Sequence, residues 1–174
     1  MSVAKTKSTK AVAVKKAART TSKGASANTA AAIHVHSGGI LTIGRTKPEN
    51  SMTPVEKMER ARAGITKQEL ERLKERTKLD YDKLAHLLSV TRATLINKAK
   101  TAAFAPTLSE RIVGLADLYA YGYEVFENED AFNRWMFEAN RALGGLQPYD
   151  ICDSAFGREE VRNILGRMDY GVHS

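Results

Sequence analysis

Within a stretch of ten residues the chain places Thr91, Arg92, Thr94, Asn97, Lys98 and Lys100. A guanidinium can pair with guanine through two hydrogen bonds, and a carboxamide can do the same with adenine. Lysine ammonium groups suit phosphates. Nucleophilic chemistry has a thinner basis. Cys152 is the one cysteine, and His86 and His173 are the candidate bases. Cys152 falls among Ile151 and Phe156, the surroundings of a buried structural thiol rather than a reactive thiolate. Glu159 and Glu160 fall at the start of a helix, where acids stabilise the dipole. No Gly-rich phosphate loop or triad-like arrangement is visible. His34 and His36 share a strand face with no third ligand nearby. One cysteine allows neither an intrachain disulfide nor a Cys-based zinc site. These residues argue for a protein that is not an enzyme and needs no metal or cofactor.

Charge divides the chain. Residues 1–50 hold nine Lys/Arg against Glu49 alone, a net +8. Residues 51–112 carry thirteen bases and eight acids, and residues 113–174 five bases and eleven acids. The N-terminal two-thirds therefore suits a polyanion, and the acidic last third suits a different partner. No run of ~20 strongly apolar residues suggests a membrane span, and no secretory signal is visible. A single cysteine fits a reducing cytoplasm.

Residues 1–32 lack acids, aromatics and Leu. That composition predicts a disordered basic arm, either a solubilising tail or a non-specific phosphate contact. Lys predominance over Arg argues against a transit peptide. Residues 33–45 alternate around Ser37-Gly38-Gly39, as in a short hairpin. From Thr53 the pattern is helical. Thr53-Pro54-Val55-Glu56 reads as a capping box, and Gly64 as a stop. A second helix spans about 66–77. Asp80 caps a short helix to Leu88, Ser89-Val90 make a turn, and Thr91 caps a helix to about Lys100. Pro106 reads as a break and Thr107–Glu110 as a further capping box. That box opens a helix burying Leu108, Ile112, Leu115, Ala116 and Tyr119. Asn128 opens another, with Phe132, Trp135, Met136, Ala139 and Leu143 inward, stopped by Gly144-Gly145. Short and long helices follow, over about 148–154 and 158–168. Outside the hairpin the expected class is all-α.

The unit from Asp80 to Lys98 resembles the helix-turn-helix of Xre/Cro-type regulators. Leu84, Leu88 and Leu95 would join its helices, Ala85 would permit their close crossing, and Val90 would plug the turn. The outward positions are then Arg92, Thr94, Asn97 and Lys98, with Thr91 as cap and Lys100 beside them. Ser89 stands where such turns usually carry Gly, at a position that tends toward left-handed backbone.

Residues 126–171 resemble the C-terminal domain of the MbcA/ParS/Xre antitoxins. The carrying residues are Ala131, Trp135, the Leu143-Gly-Gly-x-x-Pro148 element, Gly157, Val161, Leu165 and the closing Tyr170-Gly171. The resemblance implies a helix-turn-helix domain at 51–112 and a toxin-binding domain at 113–174. It implies a bacterial, cytoplasmic homodimer that neutralises a RES-domain, NAD-degrading toxin and represses its own operon by binding operator DNA. By the same resemblance Tyr170, Gly171, Val172, His173 and Ser174 would approach the toxin's substrate pocket. The alternative is a repressor whose acidic part serves oligomerisation, without a toxin.

Overall fold

A computed structural model describes residues 39–42 and 47–171. The basic arm, His34 and His36, most of the expected hairpin, and residues 172–174 lie outside the described residues. Residues 40–42 form bends rather than a strand. Among the described residues all regular structure is helical, apart from an isolated bridge between Thr66 and Ala103. No described helix is long and apolar enough to cross a membrane.

Local capping sets the first two helices. Thr53 and Glu56 exchange side-chain and backbone hydrogen bonds in a capping box that opens α1 (Pro54–Ala63). Hydrogen bonding from Lys47 (2.7 Å), reinforced by Thr53, holds the Glu56 carboxyl down at about 2. Gly64, at φ 87°, ends the helix. Thr66 and Glu69 repeat the device at α2 (Lys67–Thr77). In both boxes the orphan N–H groups of a helix start gain partners.

Asp80 caps α3 (Tyr81–Leu87) and Thr91 caps α4 (Arg92–Ile96). Leu84, Leu88 and Leu95 are fully buried between them, as their spacing predicts. Ser89 takes φ 51°, the left-handed turn geometry. α4 stops four residues before the expected Lys100. The Lys100 and Ala102 carbonyls accept hydrogen bonds from the Gln68 and Lys67 amides at the start of α2. Lys67 Nζ takes the Ile96 carbonyl at 2.6 Å. The chain thus leaves the helix to satisfy another helix's N-terminus.

α5 (Pro106–Phe126) is the central helix and packs against α1, α6 and α8. Pro106 is its first residue rather than a break, because a first-turn proline forfeits no helical hydrogen bond. The expected Thr107–Glu110 box does not form. Ser109 is instead buried, its Oγ accepting the Ile65 N–H and donating to the Phe104 carbonyl. The boundary expected at 112/113 falls inside α5, whose two halves share one core.

Asn128 caps α6 (Glu129–Trp135), which is shorter than its apolar spacing predicts. Asn140 begins a new cap over the Ala142 N–H, a short 3-10 turn follows at Arg141–Leu143, and Ala139 is left exposed. α7 (Pro148–Ile151) and α8 (Ala155–Asp169, capped by Ser154) complete the chain.

The Tyr119 ring is fully buried and meets Phe132 edge-on at 5.2 Å. Its hydroxyl has no hydrogen-bond partner among the described residues. Burial pushes its ionisation well above the usual range. An unsatisfied buried hydroxyl costs ~1–3 kcal/mol. Tyr119→Phe is therefore expected to raise the melting temperature by a few degrees in scanning calorimetry. A lower melting temperature would mean that the hydroxyl is bonded in solution.

Candidate functional site

The α3–turn–α4 pair gathers the first group of candidate residues. Thr91, Arg92 and Thr94 lie exposed on the first turn of α4. The Thr91 hydroxyl accepts the Thr94 N–H and pairs with the Thr94 hydroxyl at 2.9 Å, which stiffens that turn. Arg92 Nη1 reaches Asp82 of α3 at 3.2 Å. Both side chains are more than half exposed, so the pair contributes little to stability and yields to a stronger anion. Asn97 caps the C-terminal end of α4 and is exposed. Lys98 and Lys100 are not helical as expected but lie on the loop that follows. Lys98 Nζ sits 5.8 Å from the Phe104 ring centroid, and Lys100 is exposed. The first turn of α4 therefore offers a compact hydrogen-bonding edge, with a cation beyond its far end.

The turn itself is anchored from behind. Arg111 of α5 donates to the Leu88 carbonyl at 2.9 Å and the Ser89 carbonyl at 3.2 Å. Ser89 Oγ donates to the Asp153 carbonyl at 3.2 Å. The serine that occupies a glycine-like position thus supplies a tether that glycine lacks.

The second group is at the end of α8. Tyr170 is 85% exposed, and Gly171 turns the chain at φ 70°. Val172, His173 and Ser174 lie outside the described residues. Val161, Ile164 and Leu165 are buried as the stripe predicts. Phe156, expected to surround Cys152, is instead 86% exposed. Its phase gives the reason. The buried stripe runs 157, 161, 164, 165, and Phe156 falls with Glu160, Asn163 and Arg167 on another face. That phase was the signal available in the sequence. Leu146 is a further exposed apolar side chain, on the loop before α7.

The nucleophile candidate is a packing residue. Cys152 is fully buried, and burial pushes its thiol up to about 12, so it is protonated at neutral pH. His86 is exposed and lies against Tyr149, ring centroids 5.2 Å apart. His173 lies outside the described residues.

Two glycines of the last third are set by contact rather than by turning. A Cβ on Gly157 would stand 1.7 Å from the Ile151 carbonyl oxygen. One on Gly122 would stand 2.3 Å from the Phe132 ring. Gly144 and Gly145 have open space around them but positive φ, 67° and 90°. Gly122 and Gly157 thus specify the last third by close approach, and Gly144-Gly145 by left-handed backbone.

Residues 122–171 match the family model described as the antitoxin Xre/MbcA/ParS C-terminal toxin-binding domain. The match begins within α5 and takes in α6 to α8. No curated protein matches the chain.

Proposed function

We propose, from the match of residues 122–171 to the model of the antitoxin Xre/MbcA/ParS C-terminal toxin-binding domain, that the chain is the antitoxin of a type II toxin–antitoxin pair. The family match is the observation that carries the reading. The partner is a RES-domain toxin that degrades NAD, covered at its active site by the end of the antitoxin. The α3–turn–α4 pair is a helix-turn-helix, and a homodimer of the chain represses its own operon through it. Co-expression tests the first half. Cells carrying a RES-type toxin from the same operon are expected to survive and keep their NAD only with this chain present. Continued NAD loss, with both proteins made, rejects it.

Support for the DNA half comes from the exposed edge of α4 and from the +5 carried by residues 51–112. Arg92 and Asn97 read base edges, Thr91 and Thr94 shape the first turn, and Lys98 and Lys100 approach phosphates. Arg92→Ala and Asn97→Ala should each cost ~1–3 kcal/mol on the operator and relax specificity. Binding titrations on operator and scrambled duplexes separate the roles. An equal loss on both duplexes would reassign the two side chains to phosphate contact. Asp82→Asn, which releases Arg92, should not weaken operator binding.

A further inference from the structure

Between α5 and α8 lies a groove of about 790 Å³, which Ser89 of the α3–α4 turn also lines. Two arginines line it from opposite helices. Arg111 holds the Leu88 and Ser89 carbonyls, and Arg158 holds those of Cys152 (2.8 Å) and Asp153 (3.4 Å). The Ser89 hydroxyl bonds the same Asp153 carbonyl, so the two guanidiniums belong to one short chain of contacts. Each is fixed through Nη1, and among the described residues its Nε and Nη2 donors meet no carboxylate. Arg162, further along the groove, is instead paired with Asp117 at 3.0 Å. Arg158 lies over Gly114, whose added Cβ would stand 3.8 Å from its Nε. Burial lowers the Arg158 pKa; the like charge of Arg111 adds to that lowering, and Cys152 and Asp153 oppose it. Two neighbouring guanidiniums without a carboxylate bridge are relieved by an oxyanion, and their planar forks match a phosphate.

The rest of the lining narrows the ligand. Thr107 brings a hydroxyl to the groove. Glu110, Asp153 and Glu159 bring carboxylates to it, and the Asp117 carboxylate there is shared between Lys57 and Arg162. Carboxylates beside the arginines disfavour a long polyanion such as duplex DNA more than a single phosphate group, and they accept hydrogen bonds from sugar hydroxyls. We propose that this groove binds a small phosphate monoester of the nucleoside monophosphate type, with its phosphate held between Arg111 and Arg158. So placed, the ligand would bridge the α3–α4 turn and the start of α8, the two regions that the proposed function assigns to different partners.

The test is titration calorimetry on the full chain, with adenosine monophosphate, inorganic phosphate and a random duplex as separate probes. Nitrogen-15 shift mapping of each complex locates the site. The monophosphate is expected to saturate, to bind more tightly than phosphate, and to shift the amides of Ser89, Thr107 and Ala155. Arg158→Gln should weaken it ~10-fold or more, the loss of a charge-assisted pair. Because Arg158 also holds two carbonyls, Thr107→Glu serves as the second variant. Thr107 holds no carbonyl, and an acid in the first turn of α5 favours that helix. It should weaken binding similarly at an unchanged melting temperature. The proposal fails if neither small anion saturates at millimolar concentration. It also fails if phosphate binds as tightly as the monophosphate, if Thr107→Glu binds as the parent does, or if shifts map to Arg92–Lys100. Displacement of the monophosphate from this groove by the duplex would assign the site to DNA and overturn it too.

Discussion

Gly157→Ala is expected to lower the melting temperature by roughly 10 °C, the largest effect of an added methyl among the described glycines. The added Cβ would lie 1.7 Å from the Ile151 carbonyl oxygen, and that obstacle is backbone. Relief requires α7 to move away from α8. But α7 is held by the Tyr149 N–H on the Met136 carbonyl (2.9 Å) and by Tyr149 against Phe137, ring centroids 4.8 Å apart. Overpacking usually costs ~1–3 kcal/mol, and a backbone obstacle places this case at or above the upper end. For a chain of this size each kcal/mol shifts the midpoint by ~2–4 °C. Gly144→Ala is the control. Nothing lies within 4 Å of its added Cβ, so only left-handed backbone strain applies, ~1–2 kcal/mol. Calorimetry on the two variants decides whether close approach or turning dominates. A Gly157→Ala midpoint no lower than that of Gly144→Ala would show that α7 gives way easily.

The difference between those glycines shows what can be read from a sequence and what cannot. Gly144-Gly145 followed by Pro148 announces a turn, because the residue types themselves carry the backbone preference. Gly157 carries no such mark, since its need arises from α7 crossing it and no local pattern encodes a crossing. The same distinction runs through the candidate site. Asp80 and Thr91 were legible as caps because a cap is a contact within three residues. The end of α4 was not, because Lys100 and Ala102 give their carbonyls to α2, some thirty residues earlier. Arg92 was legible as an outward cation, but its Asp82 partner comes from the other helix of the pair. Phe156 was misread although its helical phase was available, because an aromatic beside a buried cysteine invites the assumption of a core. The Arg111–Arg158 groove needed the structure outright, since the two residues are far apart in sequence and meet only through the Ser89 tether.

Truncation after Asp169 is expected to abolish protection from the toxin while leaving the fold intact. The structural half follows from what is removed. Tyr170 is 85% exposed, and the deletion costs two backbone hydrogen bonds at a helix end, from the Tyr170 and Gly171 amides. Such frayed-end bonds contribute little. The functional half rests on the proposed insertion of residues 170–174 into the toxin's NAD pocket, and on the −6 of residues 113–174, which suits a basic anion-binding partner. Phe156→Ala separates the tail from the helical surface. A large exposed aromatic on a rigid helix has the character of a binding hot spot, whose loss costs ~2 kcal/mol or more, about 30-fold in affinity. The two variants should therefore fail differently. The truncated chain should still capture the toxin, which then regains NAD turnover inside the complex. The Phe156 variant should inhibit fully once its concentration exceeds a raised dissociation constant. Pull-down combined with an NAD turnover assay reads both quantities. If the truncated chain neutralises as well as the parent, the tail is not the plug, and inhibition lies with the surface around Phe156. If Phe156→Ala binds unchanged, that exposed ring has no part in toxin capture.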